Sequence, residues 1–250
     1  MDTTAKFDGR AENYTLGRPG YAPALIQYLY SSNQNLKHSV VADIGSGTGK
    51  FARLLLEEGS EVYCVEPNSD MQRIAKQELR RYEKFHLVPG NAENTTLADH
   101  FVDYITVAQA FHWFDADTFR LESRRILRPG GKAFLIWNIR TACDPLNQAL
   151  YRLFTEYCPN FRGFSNGFVQ DDPRVVRYFG GSYDFVSFDY RLYYDREKFL
   201  ARCLSSSYSL KPGDENYDCY IHALHSLFEN FKKGSIVTME NQSTAYIGTV

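Results

Sequence analysis

Three glycines alternate with small polar residues in VADIGSGTGK (Val41–Lys50), two positions after an acid, Asp43. Placed between a strand and a helix, each glycine has a task. Gly45 permits a tight turn, Gly47 lets backbone approach a ligand with no Cβ in the way, and Gly49 lets the new helix pack closely on the sheet. The spacing excludes two common nucleotide loops. A dinucleotide fingerprint has glycine at the first, third and sixth positions, and the sixth here is Lys50. A phosphate loop needs a longer gap before its Gly-Lys pair and a Ser or Thr after it, whereas Phe51 follows here. Glu66, in VEPN, is an acid at a strand end, able to accept two hydrogen bonds from a ribose diol. In GNAEN (Gly90–Asn94), the Asn91 amide oxygen can accept from an amino group. His112, in VAQAFHWFD, has an ordinary pKa of about 6.5 and suits a general base if the attacking group is a hydroxyl or enol. If that group is already a carboxylate, His112 only positions it; a structural histidine is an equal alternative.

These residues need elements to hold them. Short apolar strands are expected at Ser39–Ile44, Glu61–Val65, Phe85–Val88, Tyr104–Val107 and Ala133–Trp137. Helices are expected at Tyr21–Tyr30, Phe51–Glu58, Ser69–Tyr82 (Ser69 as N-cap) and Ala116–Leu127. Strands alternating with helices predict an α/β fold around a mainly parallel, Rossmann-like sheet. Farther on, Ser182–Tyr194 alternates as a strand, Glu197–Ser207 and Asp218–Lys232 have helical spacing, and Ile236–Glu240 with Thr244–Thr249 suggests a hairpin around Asn241–Ser243. The expected organisation is an N-terminal lid arm and helix (1–35), a cofactor-binding core (36–140), a cap with one core strand near 182–194 (141–235), and C-terminal strands completing the sheet (236–250).

The run D-I-G-S-G-T-G resembles the first motif of class I S-adenosylmethionine-dependent methyltransferases. VEPN, GNAEN (with Asn91 where the family has Asp) and LRPGGKAFLIW (Leu127–Trp137) resemble the elements that follow it, in order. The resemblance implies S-adenosylmethionine as cofactor and S-adenosylhomocysteine as product. It implies cofactor contacts from Asp43, Gly45, Ser46, Gly47, Thr48, Glu66, Pro67, Met71 (packed on adenine), Asn91, Ala92, Glu93 and Gln109. VAQAFHWFD (Val107–Asp115), the opening FDGRAENYTLGRPGY (Phe7–Tyr21) and WNIR (Trp137–Arg140) are similar to the trans-aconitate methyltransferase-like group. By that resemblance Tyr14 closes over the methionine end of the cofactor, and Arg18 pairs a carboxylate of cofactor or substrate. Phe111, Trp113 and Arg140 then face a small-molecule acceptor, with His112 as the catalytic candidate. Two other readings remain open: a nicotinamide-dependent oxidoreductase, against which Lys50 and GNAE count, and a non-catalytic regulator that binds the cofactor or another nucleotide.

Composition bounds the rest. The 250 residues carry 28 Lys and Arg against 30 Asp and Glu, which argues against a broad basic nucleic-acid face. Five scattered cysteines, with no CxxC pair, suit reduced thiols and a cytoplasmic protein rather than a disulfide scaffold. No apolar run approaches the ~18 residues of a membrane span, and no leader is apparent. His222 and His225 lack partner ligands, so no metal is expected. The protein is expected to act on a small molecule as a monomer or homodimer, with no nucleic-acid or membrane partner. Of 38 aromatic residues, 21 lie in the last hundred positions, where they either line a substrate pocket or fill a core.

Overall fold

The computed structural model describes residues 17, 19–33, 35–167 and 172–250; the roles expected of Tyr14 and Arg18 lie outside them. Helix α1 (Pro23–Ser32) starts on a proline, whose missing N–H costs nothing in a first turn. Strand β1 (Val40–Ile44) leads through the glycine loop into α2 (Lys50–Glu58), which ends on a left-handed Gly59. Then come β2 (Glu61–Val65), α3 (Ser69–Leu79), β3 (Phe85–Val88), β4 (Val102–Ala108), α4 (Ala116–Ile126) and β5 (Leu127–Arg140). The cap of α3 is Asn68, not Ser69: its Oδ1 accepts from the Met71 N–H at 3.0 Å.

After β5 come α5 (Pro145–Tyr157), α6 (Pro173–Phe179), β6 (Asp184–Asp189), β7 (Leu192–Tyr194), α7 (Arg196–Leu204), α8 (Tyr217–Phe231), β8 (Val237–Met239) and β9 (Asn241–Gly248). The seven-stranded sheet has the order β3-β2-β1-β4-β5-β9-β6. Strands β1 to β5 pair in parallel, and β9 runs antiparallel between β5 and β6. This is the expected α/β fold with a mainly parallel sheet.

Two expectations fail in the last third. Ser182–Tyr194 is two strands: β6 closes the sheet edge, while β7 leaves it to pair with β8. The terminal hairpin does not form, because β8 joins β7 and β9 enters the main sheet directly from Asn241. The Asn-Gln-Ser run reads as a turn because it is polar. Asn241 and Ser243 are nevertheless buried, their side chains bonded to Met239 O and to Asn138.

Three cores result. One lies between the sheet and α4 and α6 and includes Phe111, Phe119, Trp137 and Tyr178; a second holds α1 and α2 on the other face. The third sits inside the cap, where α5, α7, α8 and the β7–β8 ribbon surround Phe154, Phe161, Phe199, Tyr220 and Phe228. Most of the late aromatic excess is therefore core. Tyr220 is fully buried, with its hydroxyl 2.8 Å from Ser209 Oγ.

Gly49 opens α2 at φ 78°, and a Cβ there would stand 2.5 Å from Leu79 Cδ1 of α3. The close approach is thus to a neighbouring helix rather than to the sheet. Gly49→Ala is expected to destabilise the fold by about 1–3 kcal/mol, as read by urea unfolding.

Candidate cofactor and substrate site

The glycine loop leaves β1 at the carboxyl edge of the sheet, next to the point where strand order reverses between β1 and β4; open α/β sheets bind ligands there. Gly45, Gly47 and Gly49 all have positive φ, at 67°, 57° and 78°. At Gly45 a Cβ would also stand 2.7 Å from the Ala110 Cβ. Alternating left-handed residues curl the chain so that its N–H groups converge, a geometry suited to anions and hydroxyls. Two are already used: Gly45 N and Ser46 N donate to Val65 O at 2.9 and 3.2 Å, tying the loop to β2.

Glu66 follows β2 and is buried. Its Oε2 accepts from Gly47 N at 2.8 Å and its Oε1 from Asn68 N at 2.9 Å. Burial pushes its pKa up, and those two N–H bonds pull it back. Asp43 is 1 % exposed, and its Oδ1 accepts from Thr106 Oγ1 at 2.7 Å. Its Oδ2 is buried with no hydrogen bond of good geometry; the Ala52 amide only slightly offsets the burial. Desolvation, with a smaller push from the Glu66 charge, raises the Asp43 pKa to about 7.

The exit of β4 is strained. Gln109 is held at φ 62°, unusual for a non-glycine residue, with its N donating to Ile136 O at 2.9 Å and its Nε2 to Asn138 O at 3.2 Å. A single 3-10 turn, Phe111–Trp113, follows. Phe111 does not meet the expectation of a substrate contact. It is fully buried, with ring centres 5.4 Å from Tyr178 and 6.1 Å from Trp137. His112 is 9 % exposed, and its ring centre lies 4.8 Å from that of the half-buried Trp113. Asn91 is exposed, and its Oδ1 already accepts from Asn94 N at 2.8 Å, leaving one lone pair. Ala92 and Met71 are buried, Pro67 is exposed, and Glu93 accepts from Asp115 N at 2.9 Å.

A small cleft, open to solvent, brings four of the expected residues together: Gly45, Ser46, Thr48 and Gln109. Sequence reasoning missed Tyr21, Phe51, Asn138 and Arg202, which also line it. Tyr21 meets Phe51 edge to face at 5.0 Å. Asn138 donates to Gly20 O at 2.7 Å, holding the chain before α1 over the cleft. Asn138 sits inside the quoted WNIR run and was within reach of motif reading. Arg202, on a cap helix far downstream in the sequence, has no local signal at all. Arg140, expected on the substrate side, is buried beyond Asn138 at the end of β5.

Residues 42–135 match the methyltransferase domain family. The chain is 36 % identical over 139 residues to the Mycobacterium tuberculosis protein named "uncharacterized methyltransferase Rv3342", covering 56 % of this chain and 54 % of that one. It is 28 % identical over 154 residues to the ubiquinone/menaquinone biosynthesis C-methyltransferase UbiE of Haemophilus ducreyi, covering 58 % of each. The chain thus spans about half the length of the curated relatives it matches. A solved S-adenosylmethionine-dependent methyltransferase from Geobacter sulfurreducens, in complex with S-adenosyl-L-homocysteine, superposes with TM-score 0.54 over 95 % of this chain and 96 % of its own; at 17 % identity the likeness is one of fold. Over residues 42–135, with this sheet order and this loop, the chain is thus similar to methyltransferase domains.

Proposed function

We propose that the protein transfers a methyl group from S-adenosylmethionine to a small-molecule acceptor. The observation that carries this reading is the buried Glu66 carboxylate, bonded to the Gly47 N–H of the loop whose Gly45, Ser46 and Thr48 line the cleft. The residues fit the cofactor. Glu66 presents two oxygens suited to a ribose diol, Gly45 has no room for a Cβ, and the buried Asp43 Oδ2 retains accepting capacity beside the loop. When bound, S-adenosylmethionine supplies a methyl carbon made electrophilic by its sulfonium.

The chain's own part is alignment and solvent exclusion, because an in-line displacement needs the acceptor atom, methyl and sulfur on one axis. Gly47, Ser46 and Thr48 cradle the cofactor, and Glu66 exchanges its loop amides for ribose hydroxyls. Pro67, Met71, Asn91, Ala92 and Glu93 frame the adenine side. Tyr14 and Arg18 belong to the reading as closing residues. Trp113 offers an aromatic face to positive charge. His112 accepts the acceptor's proton at an imidazole nitrogen when the acceptor is a hydroxyl or enol. The finer similarity to the trans-aconitate methyltransferase-like group, a cytoplasmic setting, and action as a monomer or homodimer without nucleic-acid partners are part of the same proposal. No helix among the described residues is long and apolar enough to cross a membrane.

Calorimetric titration with S-adenosylhomocysteine and labelled methyl transfer onto a metabolite pool test it. Glu66→Ala should weaken S-adenosylhomocysteine binding by about 10–100-fold, the worth of hydrogen bonds to a charged group. Wild-type protein that is folded yet does not bind the product overturns the reading; binding without turnover of any acceptor favours a non-catalytic regulator. His112→Ala should leave product binding within about twofold and lower turnover by about 10²-fold or more. A stability measurement isolates Asp43. Its folded pKa, about 7, lies above the unfolded value of 3.8, so the folded state holds the proton more tightly and loses stability as pH rises between those values. Urea unfolding between pH 4 and 7 should show Asp43→Asn gaining on wild type by on the order of 3 kcal/mol.

A further inference from the structure

Helix α4 holds the GNAEN segment (Gly90–Asn94) and the residue after it at two points. The amide of Asp115, the N-cap residue of the helix, donates to Glu93 Oε1 at 2.9 Å. Farther along, Glu122 is buried, 9 % exposed. Its Oε1 accepts from Thr95 N at 2.8 Å, from Thr95 Oγ1 at 2.6 Å and from Arg125 Nη2 at 2.7 Å, and its Oε2 accepts from Arg125 Nε at 2.8 Å. Thr95 is fully buried, and Thr96 after it has φ 62°, a strained value for a β-branched residue. Gly90 passes so close that a Cβ there would stand 2.8 Å from Thr95 O. Contact therefore runs unbroken from Glu122 through Thr95 to both ends of GNAEN. Within that segment Asn91 N donates to Asn94 O at 3.1 Å, and Asn91 Oδ1 accepts from Asn94 N at 2.8 Å.

Packing α4 on the sheet does not require this carboxylate. Arg125 stands one turn along the same helix, so its pair with Glu122 joins no second element. A buried ion pair is in general no more stabilising than apolar groups of the same shape. What the anion supplies is a single point at which two donors of one residue end. The N–H and hydroxyl of Thr95 together fix its position and its rotation, which an apolar contact does not do. Burial pushes the Glu122 pKa up, but the Arg125 and Thr95 bonds outweigh it and hold the pKa at about 2, so the acceptor is ionised at neutral pH. The consequence falls on Asn91. A freely turning amide would accept from a 6-amino purine with its oxygen and donate to a 6-oxo purine with its NH2 group. A flipped Asn91 would set that NH2 group against the Asn94 N–H, so Oδ1 stays in place and only a donor can join it.

We propose that Glu122, through Thr95, is a positioning residue that holds Asn91 as an acceptor and so makes the cofactor site selective for a 6-amino purine over a 6-oxo purine. This deepens the methyltransferase reading, in which GNAEN frames the adenine, and rests on it. Glu122 and Thr95 act on the base only through the segment they hold.

Calorimetric titration of the full chain with S-adenosylhomocysteine and with S-inosylhomocysteine, whose purine carries an oxo group in place of the amino group, reads the selectivity as a ratio of affinities. Wild type should bind the adenosyl compound about tenfold more tightly, the worth of one hydrogen bond and of the mismatch that replaces it. Thr95→Val removes the hydroxyl and keeps the shape; Glu122→Gln removes the charge and keeps the shape. Each should cut the ratio to about threefold or less, while Thr95→Ser, which retains the hydroxyl, should keep the wild-type ratio. Asn91→Asp in the Thr95→Val background should restore it, because a carboxylate has no NH2 end to turn. A purely structural Glu122 would lower the melting temperature of Glu122→Gln and leave the ratio near wild type, and that result overturns the proposal. Thr95→Val decides between the two if Glu122→Gln does not fold. Equal binding of both compounds by wild type, or a Thr95→Val ratio that Asn91→Asp does not restore, also overturns it. Wild type that is folded and binds neither compound strikes the methyltransferase reading instead.

Discussion

The carboxylate of Glu66 adds a side-chain tie between the end of β2 and the loop after β1, deeper into the loop than the Gly45 and Ser46 amides that donate to Val65 O. Its oxygens take N–H bonds from Gly47 and Asn68, so a single side chain holds the glycine loop open and braces the residue that caps α3. Burial works against the charge, and two amide donors restore part of what is lost. The loop can meet this carboxylate only because its glycines accept positive φ. In the proposed function the same interaction would prepare the site for a diol, since the carboxylate is already desolvated and held in place.

Charge of both signs is buried at the ends of the central strands, Asp43 on β1 and Arg140 on β5. Below the loop, Asp43 is buried with one oxygen satisfied and one not. At the end of β5, Arg140 is buried with no ion pair among the described residues, and burial, with the Arg202 charge, lowers its pKa to about 10. Each arrangement lowers the stability of the empty protein, and each lies at the carboxyl edge of the sheet, where the fold places ligands. Elsewhere among the described residues, charge follows stability: Glu122 binds Arg125 and the Thr95 amide, which hold its pKa near 2 despite burial.

Features governed by local sterics were legible in the sequence. The glycine loop, the strand-end acid and the alternation of strands and helices depend on φ, on side-chain alternation and on spacing, all written within a few residues. What escaped depends on tertiary partners. Asn241 and Ser243 read as turn residues because nothing nearby pairs with polar side chains; in the fold Asn138, the Ala22 amide and Met239 O do so, and the segment becomes a strand. Arg202 reaches the cleft only because α7 folds back over it, a placement no motif encodes. The late aromatics divided between pocket and core by the same rule: Phe161, Tyr208 and Phe154 interlock with ring centres 4.7 to 5.6 Å apart, and that mutual burial leaves Phe164 to cover Arg140.

The misreading of Phe111 shows how the site is made rigid. In a 3-10 turn three residues complete a revolution, so neighbouring side chains point in directions roughly 120° apart. Phe111 takes the inward direction and wedges among Phe119, Trp137 and Tyr178. That anchor fixes the turn, which leaves His112 at the boundary of the core and Trp113 half exposed. Arg174 of α6 adds a second restraint, its Nη1 3.5 Å from His112 O, while Asp172 holds the same guanidinium. A ring buried for packing thus fixes the backbone of its neighbour, which is what the proton-accepting role proposed for His112 would need. The sequence reading assigned Phe111 and Trp113 to the acceptor and His112 to catalysis; the turn instead uses Phe111 to hold the other two.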